Sequence, residues 1–265
     1  MLLQNKNAVI YGGGGAIGRA VARAFAREGA HVHLAGRTQE TLAAVAGGIR
    51  ESGGSAETAL VDVLDEQAVD EHLQDVVSRA GSVDVSVNLI DHGDVHGVPL
   101  LEIEAAEFSR PIRIAMTANF HTMRAAARHM VKQGSGVILT FTSPPAKMVG
   151  PLMGGTTVAE AGIETLTRSL AAEIGTHGVR VVGLRSEGLP ESWAEDWHTN
   201  VFDSPLEATE GLDPGGHAQM LADKTMLRRT PTLDEMTAVM AFLASDRAAA
   251  MTGTITNMTC GSVPD

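Results

Sequence analysis

Aromatic residues are scarce in this sequence: 265 residues carry six phenylalanines, two tryptophans and a single tyrosine, Tyr11. A chain this poor in rings must build its core from aliphatic side chains, alanine and glycine. Cysteine is rarer still. Cys260 stands alone, so no internal disulfide can form, which fits a reducing compartment. No apolar run reaches the ~18–20 residues of a membrane span, and no charged-then-apolar leader opens the chain. The sequence therefore reads as a soluble cytoplasmic protein with no membrane partner. Basic charge is also short: the formal net charge of −12 argues against nucleic acid as a partner. A small molecule remains the natural ligand.

What is present is alternation. Short β-branched runs at Asn7–Tyr11, His31–Ala35, Thr58–Val61, Val83–Val87, Gly136–Phe141, Arg180–Leu184 and Thr254–Met258 are separated by helical patterns. These patterns cover Ala16–Glu28, Thr38–Ser52, Glu66–Ala80, Ala105–Lys132, Val158–Thr176 and Thr232–Ser245. Ile17, Val21, Ala24 and Phe25 make one apolar face of the first helix. Such alternation predicts one α/β domain over residues 1–265: a Rossmann-like, doubly wound, seven-stranded parallel sheet with helices on both faces. Ser192–Asp223 breaks the rhythm with Trp193, Trp197, Pro205 and Pro214-Gly215-Gly216. An irregular insertion there would lie over the strand ends, where doubly wound sheets bind ligands, and it reads as a substrate lid.

The first strand runs into Gly12-Gly13-Gly14-Gly15-Ala16-Ile17-Gly18 and then a helix. Gly13, Gly15 and Gly18 satisfy G-x-G-x-x-G. The strand before and the amphipathic helix after are the context in which such a loop offers backbone N–H groups to a pyrophosphate. The second strand ends Leu34-Ala35-Gly36-Arg37. Gly36 removes the acid that would hold a ribose 2′-OH, and Arg37 offers a cation to a 2′-phosphate. NADP(H) is favoured over NAD(H).

From this cradle onward the chain resembles the short-chain dehydrogenase/reductase family. Asp62-Val63, Val87-Asn88, Thr167–Ala171, Ala241–Asp246 with Thr252-Gly253 and Asn257 all match the family's pattern. Glu187-Gly188 replaces its usual Pro-Gly. The resemblance implies an oxidoreductase whose cofactor touches Asp62 and Val63 at the adenine, Asn88 at the sheet's end, and Ser192 at the nicotinamide carboxamide. It also implies a homo-dimer or homo-tetramer packed through the two long mid-chain helices.

One part of the resemblance fails. The family uses Asn, Ser, Tyr and Lys, the last two as Tyr-x-x-x-Lys. Counting back from Thr167–Ala171 puts Thr156 at the Tyr position and Glu160 at the Lys position. Ser143 stands where the Ser belongs, and Ala115 where the Asn does. The only tyrosine lies in the cradle strand, so no register shift restores the motif. A threonine hydroxyl is a far weaker acid than a phenol, and an ionised Glu160 beside it would disfavour deprotonation further. Glu160 is left as a candidate acid or base. The stretch Asp91-His92-Gly93-Asp94-Val95-His96 follows the fourth strand and offers a second source, His92 foremost, with a spacing that matches no metal motif. Three readings stand at this point: an NADP(H) oxidoreductase with a non-standard site, an inactive nucleotide-holding or hetero-oligomer subunit, or a non-redox isomerase, lyase or cyclase.

Overall fold

The computed structural model describes residues 1–193 and 214–264. Seven strands form one parallel sheet, β1 Asn7–Tyr11, β2 His31–Gly36, β3 Ser55–Leu60, β4 Val85–Asn88, β5 Gly136–Thr142, β6 Val179–Ser186 and β7 Ile255–Met258, in the order β3-β2-β1-β4-β5-β6-β7. Helices α1 Ala16–Arg27, α2 Gln39–Glu51, α3 Glu66–Ala80, α4 Ala105–Gln133, α5 Thr156–Ile174, α6 Pro214–Lys224 and α7 Leu233–Ala244 connect them. The period-2 alternation of β1 explains the two-layer cover. Ala8 and Ile10 point into a core shared with Val21 and Phe25 of α1, Leu42 of α2 and Met236 of α7. Val9 and Tyr11 point the other way, toward Val69 and Leu73 of α3 and Met123 of α4. Each fully buried Leu, Val or Phe of these layers contributes about 1.5–3 kcal/mol.

Local signals account for several element ends. Thr232 caps α7 in a reciprocal capping box with Glu235, as its Thr and acidic first turn foretell. Asp65 caps α3 by accepting from Gln67 and Ala68 N–H, and Gly81 closes it in the left-handed region. Other ends differ from the sequence reading. β3 begins at Ser55 instead of Thr58, because its register comes from pairing with β2 (His31 opposite Ser55) and not from its own β-branched content. β4 occupies Val85–Asn88 rather than Val83–Val87, since the Asn7 N–H is held by the Asp84 carboxylate and ladder pairing starts one residue later. The segment 192–223 is not irregular at its far end: residues 214–224 form α6. Trp197, Pro205 and the rest of 194–213 lie outside the described residues. Among the described residues no helix is long and apolar enough to cross a membrane.

The sheet order reverses between β1 and β4, which pair with Tyr11 opposite Asn88. A crevice at such a switch point, beyond the carboxyl ends of the strands, is where doubly wound sheets take ligands.

Candidate active site and dinucleotide cradle

The glycine loop sits at that crevice. Gly12 adopts φ +79°, and a Cβ there would lie 2.0 Å from the Leu89 carbonyl oxygen. A Cβ on Gly18 would lie 2.1 Å from the Gly12 carbonyl oxygen, so the first turn of α1 packs directly on the loop. Gly12 and Gly13 N–H groups both bond the Ala35 carbonyl, at 3.0 and 3.2 Å, which ties the loop to the end of β2. A Cβ on Gly14 would meet Thr41 Oγ1 at 2.5 Å, whereas one on Gly15 would find only the Gly12 oxygen at 3.5 Å. The N-terminus of α1 begins at Ala16-Ile17. It has no side-chain cap and no acidic residue in its first turn, so its dipole and N–H groups face outward unopposed by a carboxylate. A loop that side chains would fill, ending on an uncapped helix, fits a pyrophosphate.

Around it lie the other expected cofactor contacts. Gly36 ends β2 with ordinary room for a Cβ, 3.5 Å from Leu42 Cδ2. Arg37 follows on the surface, and among the described residues its guanidinium makes no ion pair. Asp62 is exposed, its carboxylate accepting from Leu64 N–H at 3.0 Å, and the Val63 carbonyl lies 3.1 Å from His121 Nδ1. Asn88 is buried. Its amide donates to Asn119 Oδ1 at 3.0 Å and Thr122 Oγ1 at 2.8 Å, clamping β4 to α4, while its own Oδ1 has no partner. Ser192 ends a 3-10 turn and donates back to the Leu189 carbonyl at 2.7 Å.

Ser143, Thr156 and Glu160 converge beside the end of β5. Glu160, on the second turn of α5, is 6% exposed. Its carboxylate accepts the Ser143 hydroxyl, 2.8 Å from each oxygen, and the Ser143 backbone N–H at 3.0 Å. Burial pushes Glu160 up to about 6, against the lowering effect of Ser143's bonds and His92's charge; Asp94 adds to the rise. Thr156, the first residue of α5, is buried, with its Oγ1 2.9 Å from His96 Nε2. The loop carrying His96 is fixed on that helix start. Gly97 N–H bonds the Leu152 carbonyl at 2.8 Å, and Gly154 packs so closely on Val95 that a Cβ would lie 2.4 Å from its carbonyl oxygen. Burial holds His96 below the usual imidazole range, partly offset by Asp94, so at neutral pH it is uncharged.

The structure thus brings the 91–96 loop to the site but divides its duties differently from the sequence reading. His92 acts electrostatically on Glu160, and its Nδ1 is buried without a partner. His96 makes the direct contact. Sequence reasoning also missed Asn119, one turn past Ala115, which anchors Asn88 while Ala115 itself packs on Ala159 and Ile163. A further omission lies behind Glu160. Glu164, one turn on, forms a buried two-point ion pair with Arg185 of β6, at 2.8 and 2.9 Å, and accepts Thr142 Oγ1 at 3.2 Å. Thr167 continues the row with a 2.7 Å bond to Thr140. The spacing of Thr156, Glu160, Glu164 and Thr167 on one helix face was the available signal. Tyr11 is far from this chemistry: its ring packs edge-on against His72, and its hydroxyl is buried without a partner. Among the described residues no group of acidic, histidine or cysteine side chains could hold a metal.

Comparison with known proteins places this geometry among relatives. The family model for short chain dehydrogenases matches residues 6–189. Gluconate 5-dehydrogenase of Gluconobacter oxydans (strain 621H) is 30% identical over 182 residues, 69% of this chain and 70% of that protein. Sorbitol dehydrogenase of Cereibacter sphaeroides is 28% identical over 249 residues, 94% of this chain and 93% of its own. A solved structure of NAD+-bound xylitol dehydrogenase superposes with a TM-score of 0.87 at 26% identity, covering 98% of this chain and 100% of the other.

Proposed function

The chain belongs to the short-chain dehydrogenase family of NAD(P)-dependent oxidoreductases, and from that premise we propose that it moves hydride between NADP(H) and a small molecule at a non-standard active site. In that site Thr156 and Glu160 stand where the family places Tyr and Lys. The observation that carries the reading is the Ser143–Glu160 contact, a buried carboxylate held near neutrality beside the dinucleotide crevice.

The loop Gly12–Gly18, with Ile17 in the first turn of α1, would hold the pyrophosphate. Asp62 and Val63 would flank the adenine, Asn88 would brace the crevice, and Ser192 would face the carboxamide. Gly36 and Arg37 favour a 2′-phosphate, although the xylitol dehydrogenase relative is NAD+-bound. Arg37 supports the 2′-phosphate because it lies exposed just past β2 and, among the described residues, makes no ion pair. When bound, the nicotinamide supplies or accepts the hydride. Glu160 keeps or gives up a proton close to neutral pH, and Ser143 links it to the crevice. Of the segment 192–223, the described residues 192–193 and 214–223 would border the substrate. In support, Trp193 meets His217 of α6 edge-on at 5.1 Å, and both Trp193 and Leu221 crowd Gly188. Phe120 on α4 and Val158 on α5 remain about half exposed, which supports pairing of copies through these helices as a dimer or tetramer.

Nicotinamide absorbance, followed with a panel of carbonyls, alcohols and imines, tests the proposal. Turnover that falls about 100-fold or more in Glu160→Gln and Ser143→Ala is expected. NADPH binding without any turnover would point instead to a nucleotide-holding subunit.

A further inference from the structure

At the head of α5 the donors of Ser143 are committed to Glu160, and the groups around that carboxylate present acceptors. Ser143 has one hydroxyl proton, and it lies between the two Glu160 oxygens at 2.8 Å. Its backbone N–H serves the same carboxylate at 3.0 Å. Toward a substrate Ser143 Oγ therefore offers lone pairs. Asp94 Oδ1 is buried and takes no hydrogen bond, and Asp94 acts electrostatically on both Glu160 and His96, which places it in the same cluster. His96 Nε2 and the Thr156 hydroxyl share one hydrogen bond, so that pair, one turn before Glu160, keeps a single donor of its own.

Around Glu160 this polarity is the reverse of what a ketone requires. Hydride addition to a carbonyl builds negative charge on oxygen, which needs donors or a proton. An iminium ion arrives already charged, loses that charge on taking hydride, and needs no proton. Its N–H or N-alkyl cation is favoured by a carboxylate and by acceptor oxygens.

Resting on the dinucleotide reading above, we infer that the substrate is a cationic nitrogen compound, an iminium ion reduced to an amine or the amine oxidised in reverse. Glu160 is its counter-charge and Ser143 Oγ its acceptor. The step balances without outside reagents. The iminium carbon gains a hydride from the reduced nicotinamide, the C=N π pair becomes the nitrogen lone pair, and the positive charge passes to the oxidised ring. Because that charge moves only a short way, one fixed carboxylate serves both ends of the reaction. The groups facing Glu160 are Ser143 from the end of β5 and His92 and Asp94 from the β4–α4 loop. Protonation of Glu160 removes the counter-charge, so recognition of the cation is lost as pH falls through about 6.

The test is calorimetric titration of the NADP+-saturated full chain with 2-methylpyrrolidine and with the neutral 2-methylcyclopentanol. The amine is expected to bind at least about tenfold more tightly at pH 7.5. Most of that preference disappears at pH 5 and in Glu160→Gln, and part of it survives in Glu160→Asp. Retained NADP+ binding shows that the variants are folded. NADPH oxidation should run at least about 100-fold faster with 2-methyl-1-pyrroline than with 2-methylcyclopentanone. Equal binding of alcohol and amine, or a preference unchanged in both variants, would overturn the cationic substrate while leaving the dinucleotide reading intact. Absence of NADP+ binding would overturn both.

Discussion

Gly36 separates two cofactor choices by a single side chain. A carboxylate at the end of β2 would accept from a ribose 2′-OH and repel a 2′-phosphate, and nothing blocks it: a Cβ would sit in ordinary contact, 3.5 Å from Leu42. Gly36→Asp is therefore expected to fold normally and to reverse preference. NADPH affinity should fall at least tenfold, about 1.4 kcal/mol, and NADH affinity should rise, as read by equilibrium titration of each. Unchanged selectivity would show that Arg37 and Gly36 do not face the adenosine ribose.

At the scale of elements, α5 is held to the sheet by a row of polar side chains in addition to its aliphatic ones. The Glu164–Arg185 pair is the strongest of these ties, both partners being at most 5% exposed at the side chain. Arg185→Met leaves a buried carboxylate with only Thr142 and the more distant Arg168. That change should cost about 3–5 kcal/mol in chemical denaturation, and Glu164→Leu added to it should recover most of the loss. A double variant no more stable than the single one would refute the pairing. This row of contacts also shows where the sequence became opaque. Strands and helices were legible because their apolar periods match the layers they enter, and the glycine loop because its spacing has one physical use. Ser143, Thr156 and Glu160 could be placed by counting along α5. Their surroundings could not, because His96 reaches Thr156 from a loop, and Arg185 reaches Glu164 from a strand, that are distant in sequence. In the loop 91–96 the sequence put His92 foremost, whereas the Gly97–Leu152 tie and the close approach of Gly154 to Val95 bring His96 to Thr156. The edge strand β3 was misplaced for a related reason: its position is dictated by β2.

Across the whole molecule, buried imidazoles set the response to acid. Burial lowers His72 and His217 to about 4 and depresses His33, His96 and His129 as well. These groups take up protons more readily in the unfolded chain than in the folded one. Their stabilisation is present above an unfolded value of about 6.5 and is lost as pH falls through the folded values, His72 alone accounting for about 3 kcal/mol. Glu160 works in the opposite direction. Its raised value favours the folded state below the unfolded carboxylate range, and that contribution is lost as pH rises through about 6. Five histidines against one carboxylate predict stability that declines between pH 6.5 and 4. His72→Phe, which keeps a ring against Tyr11, should flatten the curve. Denaturation midpoints that hold constant or rise over this interval would contradict the burial of these rings.

The proposal that the crevice between β1 and β4 holds a dinucleotide is tested most directly by calorimetric titration of the folded chain with NADPH and with NADH. One saturable site is predicted, with NADPH held at least about tenfold more tightly than NADH. No heat of binding from either dinucleotide, in protein shown to be folded, would contradict it.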